Sequence, residues 1–316
     1  MRKKWFRQLL RRRIFVILLL VLQGLVLYAL IRDTSQLEKW ISTALSIISL
    51  LVALRVISSR DKPSYKLLWV ALTGDCHGNF RKLGRRYFPG QETMDREDCM
   101  IICGDFGGVW ADTPEERYWL DWLEQRPFTT IFVDGNHENF ARLNALPVHS
   151  WHGGAVHCVR PHVLHLMRGQ LYEIGGRTFF TMGGARSHDI EDGILDPAAP
   201  DFRDRQRALK HAGRKRFRVL GQSWWPEEMP SDTEYLTALE TLEKAGWKTD
   251  YVITHCAPTH IALAMSRHNT ADALSDFLEM VERRLEYTAW FFGHFHDNRI
   301  AAGKHILLWE QIIQVL

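Results

Sequence analysis

From Leu67 onward, short apolar runs alternate with polar stretches. The runs at 67–73, 100–103, 129–133, 171–174, 178–182, 251–254 and 289–292 have the length and continuous apolarity of strands buried on both faces. A last pair is expected at 299–301 and 305–309, and Gly175-Gly176 predicts a two-residue hairpin turn. Helical periodicity fills the gaps. Thr113-Pro114 places a capping hydroxyl before a first-turn proline and opens EERYWLDWLEQ. Ser231 or Asp232 opens TEYLTALETLEKAG, which stops at Gly246, and ADALSDFLEMVERRLE is amphipathic. Strands alternating with helices early and pairing as hairpins late predict an α/β sandwich.

The first 66 residues read differently. An apolar run at 14–31 follows three consecutive arginines, and a second run spans 41–57. Each has roughly the length that crosses a bilayer core of about 30 Å as a helix. Lys and Arg flank the outer ends of both, so the expectation is a helical hairpin with both termini cytoplasmic. The run is too long for a signal peptide and has no small-residue cleavage site. The expected organisation is a membrane anchor, 1–66, and a soluble domain, 67–316, at the cell membrane and facing the cytoplasm. This segment, through DKPSYKLLW, resembles the N-terminal membrane region of bacterial cardiolipin synthases, whose H-x-K-x(4)-D motif is absent here.

Charge changes the picture only when divided. Residues 1–66 carry 13 Lys/Arg against 3 Asp/Glu, leaving 27 against 34 for the rest. The soluble part is mildly acidic, so the overall charge is no argument for nucleic-acid binding. Five scattered cysteines give no disulfide framework or zinc pattern.

Candidate chemistry sits at strand ends. GDCHGN delivers Asp75 and His77, CGDFGG delivers Asp105, and VDGNHEN delivers Asn136 and His137. THCAP delivers His255, and GHFHDN delivers His294 and His296. Ligands in α/β proteins gather beyond the carboxyl ends of strands, so these residues are expected to converge. Aspartates, an asparagine and imidazoles together suit a pair of divalent cations roughly 3.5–4 Å apart, the arrangement that clamps in-line phosphoryl displacement. Manganese is the first choice in a reducing compartment, with iron or zinc also compatible.

This ordered set resembles the calcineurin-like metallophosphoesterase superfamily, and VDGNHENF, GGARSHD and SWWPEEMPS resemble a bacterial subgroup of it. The resemblance implies a four-layer αββα sandwich and a hydrolase acting on phosphomonoesters or phosphodiesters. It assigns Asp75, His77 and His296 to the first metal and Asn136, His255 and His294 to the second, with Asp105 bridging. A bridging water would be the nucleophile, and His137 would contact the phosphate or protonate the leaving group. Gly108 stands where many members carry an Asp that orients this histidine.

Arg186 and His188 are further candidates, as substrate-binding groups after a glycine-rich strand end. His260 competes with His255 as a ligand, and His255 is preferred because it lies at the strand end. The basic stretch 203–218 is either a solvated helix face or a contact for anionic headgroups or substrate; Trp224 and Trp225 either anchor a loop or stack on a base. The expected partners are a phosphorylated small molecule or nucleotide, and membrane lipid through residues 1–66. The rival readings are a non-catalytic scaffold of the same fold and a phosphatase of membrane lipid phosphates.

Overall fold

The computed structural model describes residues 68–265 and 270–316. The two apolar runs expected to form a membrane hairpin lie outside these residues. Among the described residues no helix is long and apolar enough to cross a membrane.

Two sheets form the centre. In the first, β1 (Val70–Thr73), β2 (Cys99–Cys103), β3 (Thr129–Val133) and β6 (Val163–Leu166) run parallel, in that order. β5 (Gly154–Arg160) and β4 (Val148–Trp151) extend one side antiparallel, and β15 (Ile313–Gln314) closes the other against β1. The second sheet is ordered β13 (Arg299–Ala302), β14 (His305–Leu307), β12 (Ala289–Phe292), β11 (Tyr251–Thr254), β8 (Arg177–Met182) and β7 (Gln170–Ile174). Here β8, β11, β12 and β14 are parallel. β7 and β8 meet through Gly175 and Gly176, both at positive φ, as the hairpin turn requires.

Alternate side chains along the strands explain the layering. Leu72, Ile101, Ile131, Ile253 and Phe291 meet between the two sheets. Ala71, Ile102 and Phe132 face outward and pack under Leu120 and Leu123 of α1 (Pro114–Glu124). Val252, Trp290 and Phe292 face the other way, under α4 (Asp232–Lys244) and α6 (Ala273–Arg284). Helix, sheet, sheet and helix thus stack with three apolar cores, and central strands are buried on both faces. That double burial is why they appear in the sequence as unbroken apolar runs. The helix starts follow their expected chemistry. Thr113 accepts the Glu116 N–H, and Ser231 forms a reciprocal capping box with Glu234.

Among the described residues three further α-helices are short: α2 (Phe140–Leu143), α3 (Phe202–His211) and α5 (Thr259–Met265). A two-stranded parallel ribbon joins β9 (Ile194–Leu195) to β10 (Arg218–Val219). The strand expected at 305–309 ends at Leu307, because the next residues turn inward. Leu308 N–H donates to the Phe292 carbonyl, and the Trp309 carbonyl accepts from Gly74 N–H at 3.1 Å.

Candidate metal centre

The carboxyl ends of β1, β2, β3, β11 and β12 come together at one edge of the sandwich, carrying residues from the loops that follow. Asp75, His77, Asp105 and His296 offer ligand atoms all within 4.8 Å of one another. His296 Nε2 lies 3.0 Å from Asp75 Oδ2 and 3.1 Å from His77 Nε2. Asp105 Oδ2 lies 3.7 Å from His77 Nε2, whereas its Oδ1 lies 3.3 Å from His255 Nε2. The two oxygens of one buried carboxylate therefore face two different groups of imidazoles. On the second side, His255 Nε2 is also 3.3 Å from Asn136 Oδ1.

Backbone strain marks the same positions. His77, Asp105, His294 and His296 all adopt positive φ, between 45° and 71°. Non-glycine residues rarely occupy this region, and at a site such strain is maintained by the surrounding structure. Two glycines let the loops close this tightly. A Cβ on Gly135 would sit 2.0 Å from Asp105 Oδ1, and one on Gly293 would sit 2.2 Å from Asp75 Oδ1.

The donor set fits divalent cations. Asp75 Oδ2 is buried and accepts no hydrogen bond, even with His296 Nε2 3.0 Å away. Such an orphaned acceptor is the mark of a missing positive partner. Burial would depress the proton affinity of His255, but Asp105 and Asp75 overcome it and push the pKa up to about 10. Burial alone would raise Asp105, yet His255, His137 and His77 hold it well below the usual carboxylate range. The cluster demands positive charge at its centre. His255 Nδ1 donates to the Cys103 carbonyl at 2.8 Å, which leaves Nε2 with a free lone pair in the neutral ring.

The other expected residues are placed as follows. His294 donates its backbone N–H to Asp75 Oδ1 at 3.0 Å, and its Nε2 lies 2.7 Å from His188 Nε2. His188 thus joins the edge of the cluster. Arg186 is exposed and takes part in no ion pair among the described residues. His137 donates its backbone N–H to Asp105 Oδ1 at 2.8 Å, and its ring lies 5.4 Å from that of His77. Its imidazole pKa is lowered, first by burial and further by the charge of Arg218, with Asp105 opposing. His260 stands apart, half-exposed on α5 beside Glu279 and Glu282. Cys76 is buried, which pushes its thiol up to about 11 and suits a spacer rather than a nucleophile. Trp225 is buried against Trp110 in an edge-to-face pair, so it anchors its loop. No residue of α3 is buried, in keeping with a solvated basic face.

Several supporting residues lie in the stretches GGARSHD, SWWPEEMPS and VDGNHENF but are not among the expected site residues. Ser187 Oγ donates to Glu228 at 2.5 Å and accepts from Asn136 Nδ2 at 3.3 Å. That chain fixes the Asn136 amide with its oxygen toward His255. Glu138 accepts the backbone N–H groups of Phe106 and Gly107, and burial pushes its pKa up to about 8. At Gly108 an added Cβ would lie 2.5 Å from the Phe106 ring, which stacks on Phe132. Aromatic packing occupies the space where an orienting Asp would begin.

A sequence model of the calcineurin-like phosphoesterase family matches residues 68–298. Over 148 residues the chain is 28% identical to human lariat debranching enzyme. That match covers 40% of this chain and 25% of the enzyme, so the chain spans only a quarter of its relative's length.

Proposed function

Because the chain belongs to the calcineurin-like phosphoesterase family, we propose that it hydrolyses phosphoesters at a site for two divalent cations, with manganese the preferred metal. The observation that carries this reading is the divided carboxylate of Asp105, with Oδ2 toward His77 and Oδ1 toward His255. Asp75, His77 and His296 would hold one cation, and Asn136, His255 and His294 the other. When bound, such a pair supplies Lewis acidity toward phosphoryl oxygens and lowers the pKa of coordinated water.

The chain's own residues supply the remainder. The Ser187–Glu228 pair keeps the oxygen of Asn136 inward, and Cys103 keeps the lone pair of His255 inward. His137, beside the bridging carboxylate, gives a proton to the departing alkoxide. Its lowered pKa makes it a readier donor than a free imidazole, at the cost of a smaller protonated fraction at neutral pH. Arg186 and His188 would contact the phosphate from the opposite loop. Residues 1–66 would anchor the chain to the membrane, leaving 67–316 as the phosphoesterase domain on the cytoplasmic side.

The test is hydrolysis of 4-nitrophenyl phosphate and bis(4-nitrophenyl) phosphate by the full chain, with metal content measured in parallel. Wild type should bind two manganese ions and turn over at least one ester, and Asp105→Asn should lose both properties. Turnover that survives Asp105→Asn, or folded protein that retains at most one metal, would refute the two-cation reading.

A further inference from the structure

A groove of about 960 Å³ opens from the Asp75 and His77 side of the metal cluster. A phosphate group needs only a small part of that space, and the volume falls at the upper end of sites that hold whole small molecules. Part of its wall is aromatic. Trp309 stacks on His296 at 5.4 Å and 18° between ring planes, Tyr87 is 64% exposed, and Phe88 lies beside it. Glu310 and Gln311 add exposed hydrogen-bonding groups.

Two adjacent cations behave differently here. Lys82 Nζ is fully engaged, donating to the carbonyls of Gly74, Asp75 and Trp309 at 2.9, 2.7 and 2.7 Å. These bonds tie the backbone of the Trp309 turn to the Asp75 loop. Arg81 lines the same groove, is exposed, and pairs with no carboxylate among the described residues. The groove thus presents an indole with one face on His296, an exposed phenol ring with the Arg86 guanidinium 5.7 Å from its centroid, a second guanidinium with no ion pair among the described residues, and polar groups. That combination suits a planar heteroaromatic base, which stacks on aromatic rings and guanidinium planes and offers donors and acceptors at its edge.

We propose that this groove binds the nucleoside of a nucleoside phosphoester, seated between Tyr87 and Trp309 with its phosphate at the metal cluster. The proposal rests on the phosphoesterase reading and adds the substrate class.

Two esters with the same leaving group and charge test it: thymidine 5′-(4-nitrophenyl phosphate) and methyl 4-nitrophenyl phosphate. Wild-type KM should be about tenfold lower for the thymidine ester, the scale of one base–aromatic stack. Tyr87→Ala and Arg81→Ala should raise that KM toward the methyl value, with kcat and the methyl ester unchanged. Equal KM values in wild type, or variants that slow both esters alike, would overturn the subsite. If neither diester turns over, the 4-nitrophenyl phosphate assay decides the phosphoesterase reading, and calorimetry on the manganese-loaded protein decides the subsite separately. Tighter binding of thymidine 5′-monophosphate than of methyl phosphate, lost in Tyr87→Ala, would uphold it; equal affinity would overturn it.

Discussion

The carboxylate of Glu138 receives the backbone N–H of Phe106 at 2.6 Å, so the residue after His137 holds the residue after Asp105. Gly107 donates to its second oxygen at 3.2 Å. Two loops that carry proposed ligands are clamped by one buried side chain. Above the Glu138 pKa of about 8, where the group is a carboxylate, Glu138→Gln keeps the volume but offers a single acceptor, leaving one N–H facing an NH₂ group. We expect a loss of about 1–3 kcal/mol in stability, the cost of a buried unsatisfied group. Weaker metal binding should accompany it. Denaturant unfolding and metal titration measure the two effects.

Gly135→Ala should disturb the backbone and metal binding together. The new Cβ would lie 2.0 Å from Asp105 Oδ1 and 2.4 Å from the Asp105 backbone nitrogen, within the space that this residue occupies. Asp105 must move, and displacement of a bridging ligand affects both proposed cations. The expected result is a less stable protein with less than two metals per chain, read by thermal unfolding beside elemental analysis.

His137→Asn should leave metal content near wild type, because the proposed role of the ring is proton donation. The drop in kcat should be about 10²- to 10⁴-fold for an alkyl ester that needs general acid help. For a 4-nitrophenyl ester, whose leaving group departs unprotonated, the loss should be much smaller. A uniform loss across leaving groups would instead assign His137 to phosphate contact.

A buried ionic network beneath the β3 loop gives a stability prediction. Asp134 binds Arg168 through Nε at 2.9 Å and His165 Nε2 at 3.0 Å, all three side chains being nearly inaccessible. Burial favours the neutral acid, but Arg168 and His165 hold Asp134 well below the usual carboxylate range. Its contribution is therefore complete above the ordinary Asp pKa and is lost as pH falls through the depressed folded value. Asp134→Asn leaves the buried guanidinium with the part-exposed Glu234, at 3.3 Å, as its remaining counter-charge and should cost up to about 3–5 kcal/mol at neutral pH.

His157 extends that network, with Nδ1 2.9 Å from His165 Nδ1. Burial, and then the neighbouring His165, lower its pKa from 6.5 to about 4. Between those values the unfolded chain binds a proton that the folded chain refuses, so stability falls as pH drops through that window. His157→Gln should flatten this part of the profile. Thermal midpoints at pH 7 and pH 5 for both proteins check the difference.

What the sequence disclosed follows from where its signals are local. Strands buried on both faces gave continuous apolar runs, and five of the runs led into residues that the structure brings to the cluster. The preference for His255 over His260 also rested on a local fact, its place at a strand end. The meander of β4, β5 and β6 escaped notice because its first strand is mostly exposed and its others mix His, Arg and Gly with apolar residues. Ser187 and Glu228, 41 residues apart, and Lys82 and Trp309, 227 apart, act through contacts that no periodicity records. Arg186 was singled out by its position after a glycine-rich strand end, and the structure gives it no ion-pair partner among the described residues.

The pairing of β15 with β1 bears on how the site assembles. Ala71 lies opposite Gln314 and Leu72 opposite Ile313, so the strand that leads into Asp75 gains its outer neighbour from more than 240 residues further along the chain. Contacts of such sequence separation form slowly, because a long loop must close before they are rewarded. The Asp75 loop is also tied to Trp309, and its side chain meets His294 and His296. A ribosome-bound chain lacking its last twenty-five residues would therefore lack both GHFH histidines and the partner of its first described strand. We therefore expect the proposed metal centre to form late in folding, once the segment from His294 to Gln314 has come back to β1.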